Sequence, residues 1–159
     1  MKLSEHFTLA EAAKSQRAVR LGIDNRPPET LHAALRLVAV KILEPVRAHF
    51  GIPFSPSSWY RCQSLNDAVG SKPTSQHMKG EAVDLELPGV PNIVLARWIA
   101  ENLEFDQLIL EFWRDDDPTA GWVHVSYRAA NNRGEILTIG DGVRRHGLPD
   151  KGLLGEVSA

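Results

Sequence analysis

A chain of 159 residues, 43% hydrophobic and 24% charged, has the length and balance of one globular domain with a closed core. Its net charge of −2 gives no global attraction to nucleic acid or an anionic membrane, so neither is expected as a partner. Cys62 stands alone, which excludes an intramolecular disulfide, and no apolar run approaches the roughly 20 residues of a membrane span.

The opening stretch, MKLSEHFTLAEAAKSQ, interleaves Glu5, His6, Glu11 and Lys14 with apolar residues. It shows no uninterrupted apolar segment of a signal peptide, so the chain is expected to be made in the cytoplasm without one. Thr8 with Glu11 three residues later forms a capping-box pattern and predicts a helix fading by about Gly22. IDNRPP (23–28) reads as a polar turn. Between 29 and 51, Leu31, Leu35, Val38, Ile42 and Val46 recur every three or four positions, the apolar stripe of a helix. Pro45 should kink or distort it, and Gly51 should stop it.

From residue 52, IPFSPSSWYR reads as an extended segment entering a site loop, and QSLNDAVG as a short helix ending on Gly70. EAVDLEL (81–87) alternates with the period of a strand. NIVLARWIAENL (92–103) predicts a helix with Ile93, Ala96, Trp98, Ile99 and Leu103 mostly on one side. Residues 105–113 and 121–128 predict two strands in an antiparallel hairpin with a long loop. Glu135 to Ile139 gives one more strand, followed by a Gly- and charge-rich tail. Helices first and a mostly antiparallel sheet later define the α+β class. The chain reads as a single domain over 1–159, with its core at about 7–140 and a tail at about 141–159.

Metal chemistry is the first functional signal. His77 and Asp84 lie seven positions apart in SQHMKGEAVD, a spacing that suits a loop His followed by a strand Asp. Gly80 lets the backbone turn between them, and Ala82 keeps the neighbouring position small. Peptide-cleaving zinc sites commonly use three His or carboxylate ligands and leave one position for water. The natural third ligand is His124 in GWVHVSY, on a strand face shared with Trp122 and Ser126. Taken alone, the His-x6-Asp spacing is a weak pattern, and His6, His32, His49 and His146 read as ordinary histidines.

The run WYRCQSLNDAVGSKPTSQHMKGEAVDLEL strongly resembles the active-site segment of the zinc D-Ala-D-Ala carboxypeptidase family. That family includes bacterial carboxypeptidases, VanX-type dipeptidases and phage endolysins that cut the L-Ala-D-Glu bond. Its Ser-x-His-x-x-Gly-x-Ala-x-Asp hallmark is present as Ser75, His77, Gly80, Ala82 and Asp84. Tyr60, Arg61, Leu65, Asn66 and Gly70 match its upstream element, and Trp122 and His124 its later one. The resemblance spans about residues 7 to 140. FTLAEAAKSQRAVRLGIDNRPP also looks like the start of phage- and prophage-encoded members.

The resemblance implies a hedgehog/D-Ala-D-Ala carboxypeptidase-like fold and one zinc ion held by His77, Asp84 and His124, though this ligand set also suits other divalent ions. It makes Arg61 the arginine facing the substrate, with a planar fork suited to a peptide carboxylate. Ser75 either bonds substrate or orders the loop near His77. Many relatives carry an acid three residues before the last His ligand, and others a His two before it; here those positions are Gly121 and Trp122. The general base must come from elsewhere. Glu111, an acid late in the apolar strand FDQLILEF, is the candidate, with Asp115, Asp116 and Asp117 in reserve. Glu81 and Glu86 read as solvent-facing strand residues or as partners of the ligands.

The expected activity is therefore zinc-dependent hydrolysis of peptidoglycan stem peptides, of D-Ala-D-Ala carboxypeptidase or L-Ala-D-Glu endopeptidase type. A monomeric phage or prophage lysis enzyme, reaching the wall by holin-type release or as a virion component, fits this reading. The alternative is a metal-bearing but inactive wall-binding or virion structural module.

Overall fold

The computed structural model describes residues 1–117 and 119–149. Helix α1 (Leu9–Ala13) begins at the capping box, where the Thr8 side chain accepts from the Glu11 amide and Glu11 reaches back to the Thr8 amide. The helix expected to run to Gly22 is two helices. Lys14 turns extended, and Ser15 starts α2 (Gln16–Leu21) by accepting from the Ala18 amide. A serine that bonds the backbone ahead of it favours a new start over continuation.

The long apolar stripe forms α3 (His32–Val38), a π-helical turn (Ala39–Leu43) and α4 (Glu44–Phe50). Pro45 has no N–H, and its ring would meet the carbonyl four residues back. The π turn, in which the Glu44 amide reaches the Ala39 carbonyl, inserts the extra residue just before it. The distortion is thus a bulge, and the stripe stays in phase, with Leu35, Val38, Ile42 and Val46 fully buried. Two more helices follow, α5 (Gln63–Ala68) and α6 (Asn92–Asn102). In α6, Leu95 is buried beside Ile93, Ala96 and Ile99, whereas Trp98 sits at the margin, stacked on His49 at 4.5 Å. No described helix is long and apolar enough to cross a membrane.

Five strands, β1 (Ala82–Leu85), β2 (Gln107–Glu111), β3 (Trp122–Ser126), β4 (Glu135–Gly140) and β5 (Val143–His146), form one sheet in the order β1-β3-β2-β4-β5. All neighbours are antiparallel except β2 and β4. The fold is α+β. Strand β5 occupies the start of the expected tail, whose residues 150–159 lie outside the described residues. Asp141 and Gly142, both at positive φ, make the two-residue turn into it. The hairpin signal was there in IGDGV, but VRRH has too little apolar alternation to read as a strand.

The register sorts the sheet's two faces. Val83, Leu85, Leu108, Leu110, Val123 and Val125 belong to the main core beneath the helices. Alternation sends Asp84, His124, Ile109 and Glu111 to the other face. Along the far edge of β1 runs the 52–60 segment, joined to it by Ser57 N–H to Asp84 O (3.0 Å) and Asp84 N–H to Ser58 O (2.7 Å).

Candidate metal centre

On that second face, Asp84 and His124 are direct cross-strand partners. Asp84 Oδ1 lies 2.9 Å from His124 Nδ1 and 3.4 Å from His77 Nε2. The potential ligand atoms of His77, Asp84 and His124 all fall within 4.8 Å of one another. Ligands about 2.0–2.1 Å from a tetrahedral zinc stand roughly 3.3 Å apart, close to the 2.9 and 3.4 Å separations from Asp84.

His77 arrives from a 3-10 turn (Gln76–Lys79) that Ser75 caps, its hydroxyl accepting from the His77 amide at 3.3 Å. The ring is buried, and its Nδ1 faces the Trp59 carbonyl at 2.6 Å. A carbonyl only accepts, so Nδ1 carries the hydrogen and Nε2 keeps its lone pair. Nε2 is buried and has no hydrogen-bond partner among the described residues. That orphaned acceptor, aimed at Asp84 and His124, is what a metal ligand needs. Burial, the dominant influence, pushes the His77 imidazole down from its ordinary value and keeps it neutral. Burial opposes ionisation of Asp84, but the hydrogen bond from His124 is among the contacts that outweigh it and hold the carboxyl well below the usual range. Neutral imidazole and ionised carboxylate are the metal-binding forms.

Around the three ligands lies a cleft of about 970 Å³, lined by Arg61, Ser75, Glu111 and Trp122 among others. The Arg61 amide donates to the His77 carbonyl at 3.2 Å, tying it to the ligand loop. Its Nε is buried without a partner among the described residues, and burial lowers the guanidinium's pKa against the pull of Asp84 and Glu111. Asn25, from the turn read only as polar, fixes this stretch. Its Nδ2 donates to the Tyr60 and Ala13 carbonyls, both at 3.0 Å, and its Oδ1 accepts from the Cys62 amide at 2.8 Å. Asn66, also buried, donates to the Lys72 carbonyl at 2.9 Å and shapes the loop leading to Ser75.

Glu111 ends β2 opposite Trp122, one step along the strand face from the Ile109–His124 pair. Burial pushes its carboxyl above the ordinary value; His124 and Arg61 pull it down, and Asp84 adds to the rise. The three aspartates of the loop stand elsewhere. Asp115 accepts from the Trp113 indole at 2.9 Å, Asp116 pairs with Arg114, and Asp117 accepts from Thr119. None of them lines the cleft. Gly121 explains the missing acid before His124: at φ +70°, a Cβ there would sit 1.7 Å from the Glu111 carbonyl oxygen. No side chain fits at that position. Glu81 accepts from Gln76 on the cleft wall, and Glu86 accepts from Asn92.

Sequence reasoning missed the Trp59 carbonyl and Asn25, because a backbone acceptor and a buried amide leave no spacing signature. A comparison with curated proteins returns no match. The family model described as Peptidase M15 matches residues 5–126, which take in α1, the 3-10 turn and all three candidate ligands. With its matched segment closing a His-Asp-His cluster on one sheet face, the chain belongs to the Peptidase M15 family, the zinc metallopeptidases of D-Ala-D-Ala carboxypeptidase and VanX-like type.

Proposed function

We propose that the protein is a zinc-dependent peptidase that hydrolyses peptide bonds in peptidoglycan stem peptides, as a D-Ala-D-Ala carboxypeptidase or an L-Ala-D-Glu endopeptidase. The observation that carries this reading is the unpartnered His77 Nε2 converging with Asp84 and His124 in a cleft also lined by the half-buried Glu111. In it, His77, through its free Nε2, Asp84 and His124 would hold the ion. Bound there, zinc supplies Lewis-acid polarisation of the scissile carbonyl and activation of water. Arg61 orients the peptide through a substrate carboxylate, and Ser75 holds the His77 loop in shape. Glu111 takes the proton from the attacking water and returns it to the leaving amine. The resemblance of the opening stretch to phage-encoded members extends the proposal to a monomeric lysis enzyme that meets the wall after holin-type release or on a virion.

Digestion of purified peptidoglycan by the zinc-loaded protein, followed by mass spectrometry of the fragments, tests this. New amino termini or released D-Ala are expected and identify the bond. Unchanged muropeptides with full zinc content would leave a wall-binding or virion structural module. Full activity in His77→Ala would sink the metal assignment.

A further inference from the structure

The matched family segment ends at Ser126, but the sheet does not. Strands β4 and β5 extend the site-bearing face by two more positions beyond β2. One row of cross-strand partners crosses it: Trp122 on β3, Glu111 on β2, Ile139 on β4 and Arg144 on β5. Trp122, Glu111, Ile139 and Arg144 all line the same cleft as the candidate ligands. The hairpin is firmly seated. The Trp113 amide donates to the Ile139 carbonyl at 3.1 Å, and the Thr138 hydroxyl to the Gly147 carbonyl at 2.8 Å. A Cβ on Gly140 would lie 2.1 Å from the Trp113 carbonyl oxygen, so β4 approaches that backbone as closely as only glycine permits.

Two features make this row more than a wall. Phe112 is 60% exposed and takes a left-handed backbone, φ +53°, a costly state for a bulky residue. Its ring lies 5.0 Å from that of Trp122, and both line the cleft. Beyond this apolar shelf, Arg144 is exposed and forms no ion pair among the described residues. An aliphatic stem laid on Phe112, Trp122 and Ile139 would bring a terminal carboxylate to Arg144.

We infer that the β4–β5 hairpin adds a second substrate subsite to this peptidase, one that takes an acidic residue with an aliphatic stem: the shelf holds the stem and Arg144 the carboxylate. From β3 to β5 is three strand spacings, roughly 14 Å. An extended chain covers that distance in about four residues, so the carboxylate at Arg144 lies well beyond the carbonyl that is cleaved. The inference rests on the peptidase reading for its substrate class.

The test uses fluorescently labelled synthetic stem peptides with their side-chain carboxylates free or amidated. Binding to the full chain is followed by anisotropy, and cleavage of the same peptides is measured in parallel. Wild type is expected to bind the free-acid peptide more tightly than the amidated one, and Arg144→Gln to lose about tenfold of that preference, the scale of one charge-assisted hydrogen bond. Arg145→Gln, on the opposite face of β5, is expected to keep the preference. Equal loss in both variants would reduce the effect to diffuse charge and overturn the subsite, as would an unchanged preference in Arg144→Gln. Binding selectivity without any cleavage would keep the subsite and reject the peptidase reading; cleavage without selectivity would do the reverse.

Discussion

Glu111 concentrates the residue-scale chemistry. Glu111→Gln keeps the size of the side chain and removes the proposed base, so kcat is expected to fall by about 10²–10⁴-fold while zinc content stays at the wild-type level. Because burial raises this carboxyl, its basic form appears only above an elevated pKa. In the metal-free protein this carboxyl should therefore titrate above the ordinary glutamate value of 4.5, a transition read by NMR against pH that vanishes in the variant. The sign for stability is opposite. A carboxyl whose folded pKa is raised binds its proton more tightly in the native state, so its contribution is present at low pH and is lost as pH rises. At neutral pH Glu111→Gln should unfold no more easily than wild type, and thermal denaturation checks this. The three candidate ligands were legible in the chain because separate motifs fix them in order. Glu111 drew attention because an acid does not belong in an apolar strand, and it lines the cleft. Nothing announced that the Trp59 carbonyl would set the His77 tautomer, since every residue carries the same carbonyl.

At the scale of elements, the joins decide the site, and joins were the least readable part of the chain. The capping box at Thr8 told where α1 starts, but the Ser15 cap that splits α1 from α2 lay inside an otherwise helical pattern. Asn25 joins three segments by satisfying backbone groups from two of them. Asn25→Ala strands the Tyr60 carbonyl and the Cys62 amide beside Arg61 and is expected to cost about 2–4 kcal/mol, read from urea unfolding. Gly121 looked like a departure from the family pattern when only the sequence was in view. Its left-handed backbone, pressed against Glu111 and Phe112, makes it a packing requirement of this hairpin. Installing the acid that many relatives carry, Gly121→Glu, should therefore destabilise the protein by roughly 3 kcal/mol or more and restore no activity to Glu111→Gln. A stable double variant with recovered turnover would show that the backbone can make room there.

At the scale of the whole molecule, one sheet divides the labour. Its helix-covered face supplies the packed core, and its other face carries the cleft. The charge follows that division, which the net value of −2 concealed. Six Lys or Arg residues line the cleft, namely Arg61, Lys72, Lys79, Arg128, Arg133 and Arg144, against four acids, Glu81, Asp84, Asp106 and Glu111. Of the acids, Asp106 is already held by Arg133 through guanidinium bonds of 2.9 and 3.0 Å, and Asp84 accepts from His124 at 2.9 Å. A bound divalent ion adds to the positive side. The remaining residues carry a net negative charge, so an anionic peptide is drawn to one concavity, whose low-dielectric walls focus the field. Salt weakens this capture, because the Debye length is only about 10 Å at 0.1 M. Raising ionic strength from about 0.02 to 0.2 M should lower kcat/KM for a free-acid stem peptide several-fold while leaving kcat nearly unchanged, since chemistry at the buried ligands is screened far less. The amidated peptide should show a much flatter profile. Initial rates across that salt series decide the matter: equal slopes for the two peptides would mean that the cleft's charge does not guide the substrate.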